Sequence, residues 1–379
     1  MASDLLSTPP PLAPPKTWDA TVSWLRLIRS HRVGPSTFFR LLAEHGTAEA
    51  ALEALPQIAA KAGVAKYAPF SRKQAEDELT TGERLGARPL PFGAVAYPQL
   101  LRDIPDPPPF LWALGNLSLT ERPSIGVVGA RNASSIGTRM ATRLVKGLGE
   151  AGFVTVSGLA RGIDAAAHQA SLEHGTIAIQ AGGVDTVYPR ENAALHDQIA
   201  RDGLRLSEQP IGQQPMARHF PRRNRIISGM ARAIIVVEAA AKSGSLITAR
   251  EALDQGRDVL VIPGHPFDAR AAGGNMLIRD GATLIRGVED VIEALQHPQP
   301  RPPNTAKTTP NPTRPGGHGP AHAEILGLLG PSPVAQDQLI RDLKAEASLV
   351  LPKITELELQ GKITRSPGGL LSRSVATSA

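Results

Sequence analysis

Arg222, Arg223 and Arg225, with Asn224 among them, fall within four residues of the segment Phe220-Pro-Arg-Arg-Asn-Arg-Ile-Ile-Ser-Gly229, and no acid stands beside them. An arginine fork matches phosphate oxygens in a bidentate way, so a cluster of this kind suits a polyanion. A solvated surface patch is the plain alternative. Three glycine- and serine-rich stretches share the neighbourhood, and each leaves an apolar run and enters a helical pattern. The first is Gly126-Val-Val-Gly129-Ala-Arg131-Asn-Ala-Ser134-Ser135-Ile-Gly137. Free amides at such a junction attract phosphate, Ser134 or Ser135 is placed to cap the helix or touch an anion, and Arg131 adds a cation. The second is Ser157-Gly158-Leu-Ala-Arg161-Gly162-Ile-Asp164. The third is Glu238-Ala-Ala-Ala-Lys242-Ser243-Gly244-Ser245-Leu-Ile-Thr248, whose hydroxyls and amides suit an anion. The expected phosphate-binding set is therefore Gly129, Arg131, Ser134, Ser157, Gly158, Arg161, Gly162, Arg222, Arg223, Asn224, Arg225, Lys242, Ser243, Gly244, Ser245 and Thr248.

Several other chemistries lack their residues. The first stretch is not GxGxxG, and no acid ends the second apolar run to take a ribose, which disfavours a dinucleotide dehydrogenase. The Lys242 stretch echoes a phosphate-binding loop but lacks GxxxxGK[ST]. Asp164 and His168 lie one helical turn apart, as a general-base dyad or as a helix anchor. No nucleophile accompanies them, the chain has no cysteine, and neither a metal-ligand cluster nor paired catalytic carboxylates are evident. Binding without catalysis, metal or cofactor is expected.

These loops need a scaffold. Short apolar runs at 124–129, 152–157, 176–181, 204–207, 233–238 and 258–262 alternate with helical patterns at 137–150, 163–174, 191–201, 245–255 and 275–279. That alternation predicts an α/β fold with an open, mostly parallel sheet over 120–296, binding ligand at the carboxyl ends of its strands. Residues 1–16 are proline-rich and expected to be disordered, and 17–84 read as a small helical domain with a tight joint at Val33-Gly34-Pro35. The turn amides around Gly34 suit a nucleic-acid backbone, or the domain serves packing alone. Residues 85–119 read as a proline-broken connection and 297–320 as a Pro/Gly-rich linker. Residues 321–373 give three helices and a hairpin, a winged helix whose third helix carries Lys353 against Glu356 and Glu358. That face is poor for gripping phosphate, so protein docking or a purely structural role stands beside DNA binding.

The formal charge of +6 and pI near 9.8 tilt the partner list toward polyanions. Aromatics are only 4%, which argues against an extensive stacking platform and leaves phosphate contacts as the main grip. No signal-peptide pattern opens the chain and no apolar stretch suits a membrane span, so a cytoplasmic protein without membrane contact is expected.

Together, GLARGIDAAAH, the PREN of 189–192, PRRNRIISG and KSGSLITA resemble the bacterial DNA-processing protein A family, also called Smf or DprA. The likeness runs from the joint near Gly34, through DPPPFLWALGN, to the Pro-Gly-Gly of 367–369, and where the family's first loop reads Gly-Ser-Arg this chain has Gly129-Ala130-Arg131. The resemblance implies an extended Rossmann-like domain that binds single-stranded DNA and forms a homodimer, a SAM-like helical domain before it and a winged helix after it. It also implies protection of incoming DNA during natural transformation and loading of the RecA recombinase. Two rivals remain. The sheet loops are also similar to Lonely Guy phosphoribohydrolases, but Gly264-His-Pro-Phe does not match their PGGxGTxxE. A winged-helix regulator is the other.

Overall fold

The computed structural model describes residues 13–64, 66–296, 322–330, 333–366 and 369–374. The expected disorder of 1–16 falls largely, and the expected linker 297–320 wholly, outside these residues. Four helices open the described chain: α1 (Trp18–Arg29), α2 (Pro35–His45), α3 (Ala48–Lys61) and α4 (Arg72–Arg84). Their starts follow from capping. Thr17 and Thr47 accept from the amides three residues on, and Ser71 forms a reciprocal box with Gln74. Gly34-Pro35 turns α1 into α2, with proline in the first turn, where its missing N–H does no harm.

A nine-stranded sheet follows. In chain order its elements are β1 (Arg88–Pro91), α5 (Gln99–Arg102), β2 (Phe110–Gly115), β3 (Ser124–Val128), α6 (Ser135–Glu150), β4 (Val154–Ser157), α7 (Ile163–Ser171), β5 (Thr176–Ile179), α8 (Ala193–Asp202) and β6 (Leu204–Ser207). They continue as α9 (His219–Met230), β7 (Ala233–Val236), α10 (Ser245–Asp254), β8 (Asp258–Val261), α11 (Ala272–Arg279), β9 (Thr283–Leu284) and α12 (Val288–Gln296). The strand order is β1-β2-β6-β5-β4-β3-β7-β8-β9. From β6 to β9 the neighbours run parallel, while β1 and β2 close one edge antiparallel. The central strands are buried end to end, as a sheet covered on both faces requires.

Two expectations need correction. Residues 85–119 are more than a connection, because β1 and β2 extend the sheet. Proline is tolerated at such an edge, and Trp112 of β2 lies over Gly82 of α4, where a Cβ would come within 2.3 Å of the indole. The indole Nε1 donates to Glu78 at 2.8 Å, and Trp24 Nε1 donates to the Pro109 carbonyl at 2.8 Å, so the helical domain is bonded to the sheet edge. The arginine segment, read as a loop, is helix α9. Pro221 falls in its first turn, and Ile226, Ile227 and Met230 supply the buried face.

The last domain comprises α13 (His322–Leu328), β10 (Val334–Ala335), α14 (Gln336–Asp342), α15 (Ala347–Leu359), β11 (Ile363–Ser366) and β12 (Leu370–Arg373), with sheet order β10-β12-β11. Three helices and a hairpin make the expected winged helix. Its core, including Ile325, Leu339, Val350, Ile354 and Leu371, draws no residue from the other domains.

Candidate nucleic-acid interface

After β3 the chain moves to β4, β5 and β6 on one side, then returns to β7 on the other. Strand β3 therefore borders a switch point, where successive loops diverge to opposite faces and leave a crevice. Helix α6 packs on one face with Val127 and Ile235, and α10 on the other with Val236 and Val261. The loops after β3, β4 and β7 meet in this crevice.

Most of the hydroxyls expected to touch phosphate are turned into the scaffold instead. Ser157 Oγ donates to the Val127 carbonyl at 2.6 Å, and Ser245 Oγ donates to the Gly129 carbonyl at 2.8 Å. Ser243 Oγ accepts from the Ser245 amide at 3.2 Å, and Thr248 is buried. Ser134 caps α6 by accepting from the Gly137 amide at 2.9 Å. Its own hydroxyl and amide donate to the Glu238 carboxylate at 2.5 and 2.9 Å. The amino end of α6, expected to receive a ligand phosphate, thus holds an internal carboxylate. Gly137 permits this, since a Cβ there would lie 2.5 Å from the Glu238 carboxyl carbon.

Helical geometry divides the arginine cluster. Successive residues turn by about 100°, so neighbours on α9 face different ways. Arg222 and, in part, Asn224 face solvent, whereas Arg223 and Arg225 are buried. Arg225 does have acids to pair with: it forms ion pairs with Glu208 and with Asp106, the latter at 3.4 Å. It holds the scaffold and is withdrawn from the expected phosphate set. Arg223 lies behind the β4 loop, donating to the Ile179 carbonyl at 3.2 Å, and a Cβ on Gly158 would sit 1.5 Å from its Nη1. Burial pulls its pKa down to about 10 against the attraction of Asp164, so it is a fixed cation at neutral pH.

The outer surface carries the available cations. Arg131 is exposed, with its guanidinium 5.5 Å from the centre of the Phe220 ring. Phe220 in turn meets Tyr188 at 5.6 Å, and Tyr188 is half exposed. Gly158, Leu159, Gly182, Tyr188, Phe220 and Arg223 enclose a small pocket. Lys242 and Gly244 are exposed on the β7 side. Arg161 is exposed and 3.6 Å from an exposed Glu191, a pair worth little in water. Phe220 and Tyr188 were missed because aromatics are scarce overall; their signal was position, beside the Arg and PREN segments. Asn192 was missed too. Its Nδ2 donates to the Leu159 and Ala160 carbonyls at 2.9 and 3.2 Å, fixing a loop in which Leu159 has φ 54°. Gly162, at φ 75°, lets the β3 and β4 loops touch, since a Cβ would lie 2.2 Å from the Ala130 carbonyl oxygen.

Asp164 and His168 resolve as anchors. Asp164 accepts from the Gly158 and Ala160 amides at 3.2 and 3.4 Å, and His168 Nε2 accepts from the Leu159 amide at 3.3 Å. Burial, aided by Arg223, holds the His168 pKa down to about 3 from 6.5. Burial pushes Glu251, near Arg225, up to about 8 from 4.5. The unfolded chain protonates His168 first as pH falls, so that group costs stability from 6.5 down to about 3. Unfolded Glu251 ionises first as pH rises, so it costs stability from 4.5 up to about 8. Glu251→Gln removes only the second slope. Its urea midpoint is expected to gain on that of the unaltered chain steadily as pH rises through that window; a gain independent of pH would refute the assignment.

A crevice of cations and an aromatic ring at the carboxyl end of a parallel sheet, in the middle domain of three, defines an α/β protein built for a polyanion. The chain belongs to the DNA recombination-mediator protein A family, whose model matches residues 89–296. Models of the DprA-like N-terminal HHH domain and the DprA winged helix domain match 19–81 and 298–369. It is 45% identical to the DNA processing protein DprA of Bacillus subtilis over 213 residues, 55% of this chain and 72% of that protein. It is 36% identical to Protein Smf of Escherichia coli over 310 residues, 80% and 82% of the two chains. Among solved structures, DNA processing protein A of Streptococcus pneumoniae matches with a TM-score of 0.60 at 34% identity, covering 73% of this chain and 98% of that one. The Helicobacter pylori protein, described for its single-stranded DNA binding mode, matches with 0.52 at 28%, covering 55% and 95%.

Proposed function

We propose that the protein binds single-stranded DNA in the crevice, through backbone phosphates and with little base specificity, and passes it to the RecA recombinase during DNA uptake. The observation that carries this is Arg131 over the Phe220 ring with buried Arg223 behind it. Phosphate and an unstacked base are offered together only by a single strand. Arg131, Arg161, Asn224, Lys242 and the exposed backbone at Gly244 form the working surface, with Arg222 beside it on α9. The Gly158 amide is already bonded to Asp164, so Gly158 helps to shape the site. Gly129, Gly162, Ser134, Ser157, Ser243, Ser245 and Thr248 shape it. The sheet reads as Rossmann-like, extended at its edge by β6 and the β1–β2 pair. Homodimerisation through this domain and RecA contact rest on family membership. Anisotropy titrations of oligo-dT and of matched duplex across a salt series test the reading. Preference for the single strand, and faster RecA filament growth on protein-coated strand, are expected; equal affinity for both forms would overturn it.

A further inference from the structure

A second cavity, of about 450 Å³, lies where all three domains meet. Arg29, Arg32 and the turn at Gly34 line it from the helical domain, Asp106, Glu208 and Arg222 from the sheet domain, and Glu358 and Arg365 from the winged helix. Most charges here are paired: Arg29 with Glu78 at 2.9 Å, Arg225 with Asp106 and Glu208, and Arg365 with Glu358 at 2.7 Å. Two exposed arginines are left, Arg32 and Arg222. Arg222 makes no ion pair among the described residues. Arg32 adopts φ 62° at the hairpin turn, and its guanidinium donates to the Leu359 carbonyl at the end of α15. Beside it Thr37 Oγ1 donates to Glu358 Oε2 at 3.4 Å. Gly361, at φ 72°, makes room, since a Cβ there would lie 2.5 Å from Arg32 Nη2.

The winged helix therefore offers this cleft a carboxylate and the negative end of a helix, oxygen acceptors of the kind a phosphodiester presents. The hydrogen bonds from Arg32 and Thr37 that hold the winged helix at the cleft are polar. The winged helix keeps its own core, so leaving the cleft exposes little of what folds it. The cleft also continues the first site, because the amino end of α9 carries Phe220 in the crevice and Arg222 in the cleft.

We propose that this cleft is a second backbone-phosphate site for the same single strand, and that the winged helix covers it until the strand displaces it. The strand crosses the start of α9 from Arg131 and Phe220 to Arg222, then reaches Arg32 and the Gly34 turn, where its phosphates replace Glu358 and the Leu359 carbonyl. The proposal rests on the crevice reading, and the test separates the two. Oligo-dT of about 6 nucleotides samples the crevice alone, and oligo-dT of about 30 spans both sites. Full-length protein, its Glu358→Ala variant and a chain ending at Gln296 are compared. The shortened chain keeps every residue of the helical and sheet cores.

Both altered proteins are expected to bind the long strand roughly 3–10-fold tighter, with a salt slope steeper by about 0.7 for each phosphate gained. Short-strand affinity stays unchanged. Adding Arg32→Ala to either protein returns the long strand to the starting value. No gain in either protein, or a gain that survives Arg32→Ala, overturns the second site. Failure of the short strand to bind at all overturns the crevice reading and this proposal with it.

Discussion

Arg225→Met is expected to lower unfolding stability by about 3–5 kcal/mol, the cost of removing one partner from a buried ion pair. The reason lies in what stays behind. Asp106 and Glu208 would face each other across the cavity of the lost guanidinium, with Glu251 close by. Burial already raises the Asp106 pKa, and Arg225 is the main influence opposing it. The loss also spreads between domains, because the Glu208 carbonyl accepts from Arg29 of α1 at 2.9 Å, and Arg29 pairs with Glu78 under Trp112. Urea unfolding at neutral pH measures it. Arg222→Met serves as the comparison; its side chain is exposed, so its midpoint stays within about 0.5 kcal/mol. Equal midpoints for the two variants would show that the cluster is divided differently from the helical geometry described above.

The largest effect on binding is expected at Arg131 and Phe220, with different signatures. Arg131→Ala removes a phosphate contact, so affinity for oligo-dT falls and the log–log salt slope drops by about 0.7. Phe220→Ala removes a stacking surface worth about 1–3 kcal/mol per base, roughly a 5- to 150-fold loss, and leaves the slope unchanged. Both variants retain the fold, since Arg131 is exposed and Phe220 only half-buried at the amino end of α9. A Phe220→Ala protein whose affinity is unaltered would remove base stacking and leave a site that reads phosphate alone.

Much of this architecture was legible in the residues. The parallel strands appear as separate apolar runs because a doubly covered sheet demands them, and the crevice loops appear as glycines at their ends. The fate of individual side chains was less legible. Glu238 and Ser134 are more than a hundred positions apart, so nothing local says that one carboxylate fills the start of α6. Asp106 lies as far from Arg225, which made a paired arginine look free. Pro221 and the run of charge hid α9, although Ile226, Ile227 and Met230 carry its spacing. Strands β1 and β2 were obscured by prolines that only an edge position accommodates.

The carboxylate at the start of α6 also bears on which molecules can compete for the crevice. In a doubly wound sheet that position is the natural seat for the phosphate of one nucleotide. Here the chain seats its own anion there, clasped by a hydroxyl and an amide. A free nucleotide gains nothing at that point and meets only scattered cations, each weak alone. A strand meets them in series, and each phosphate held brings the next within reach. Discrimination of polymer from monomer is then a matter of counting contacts along a chain, and it persists when soluble nucleotides are in large excess.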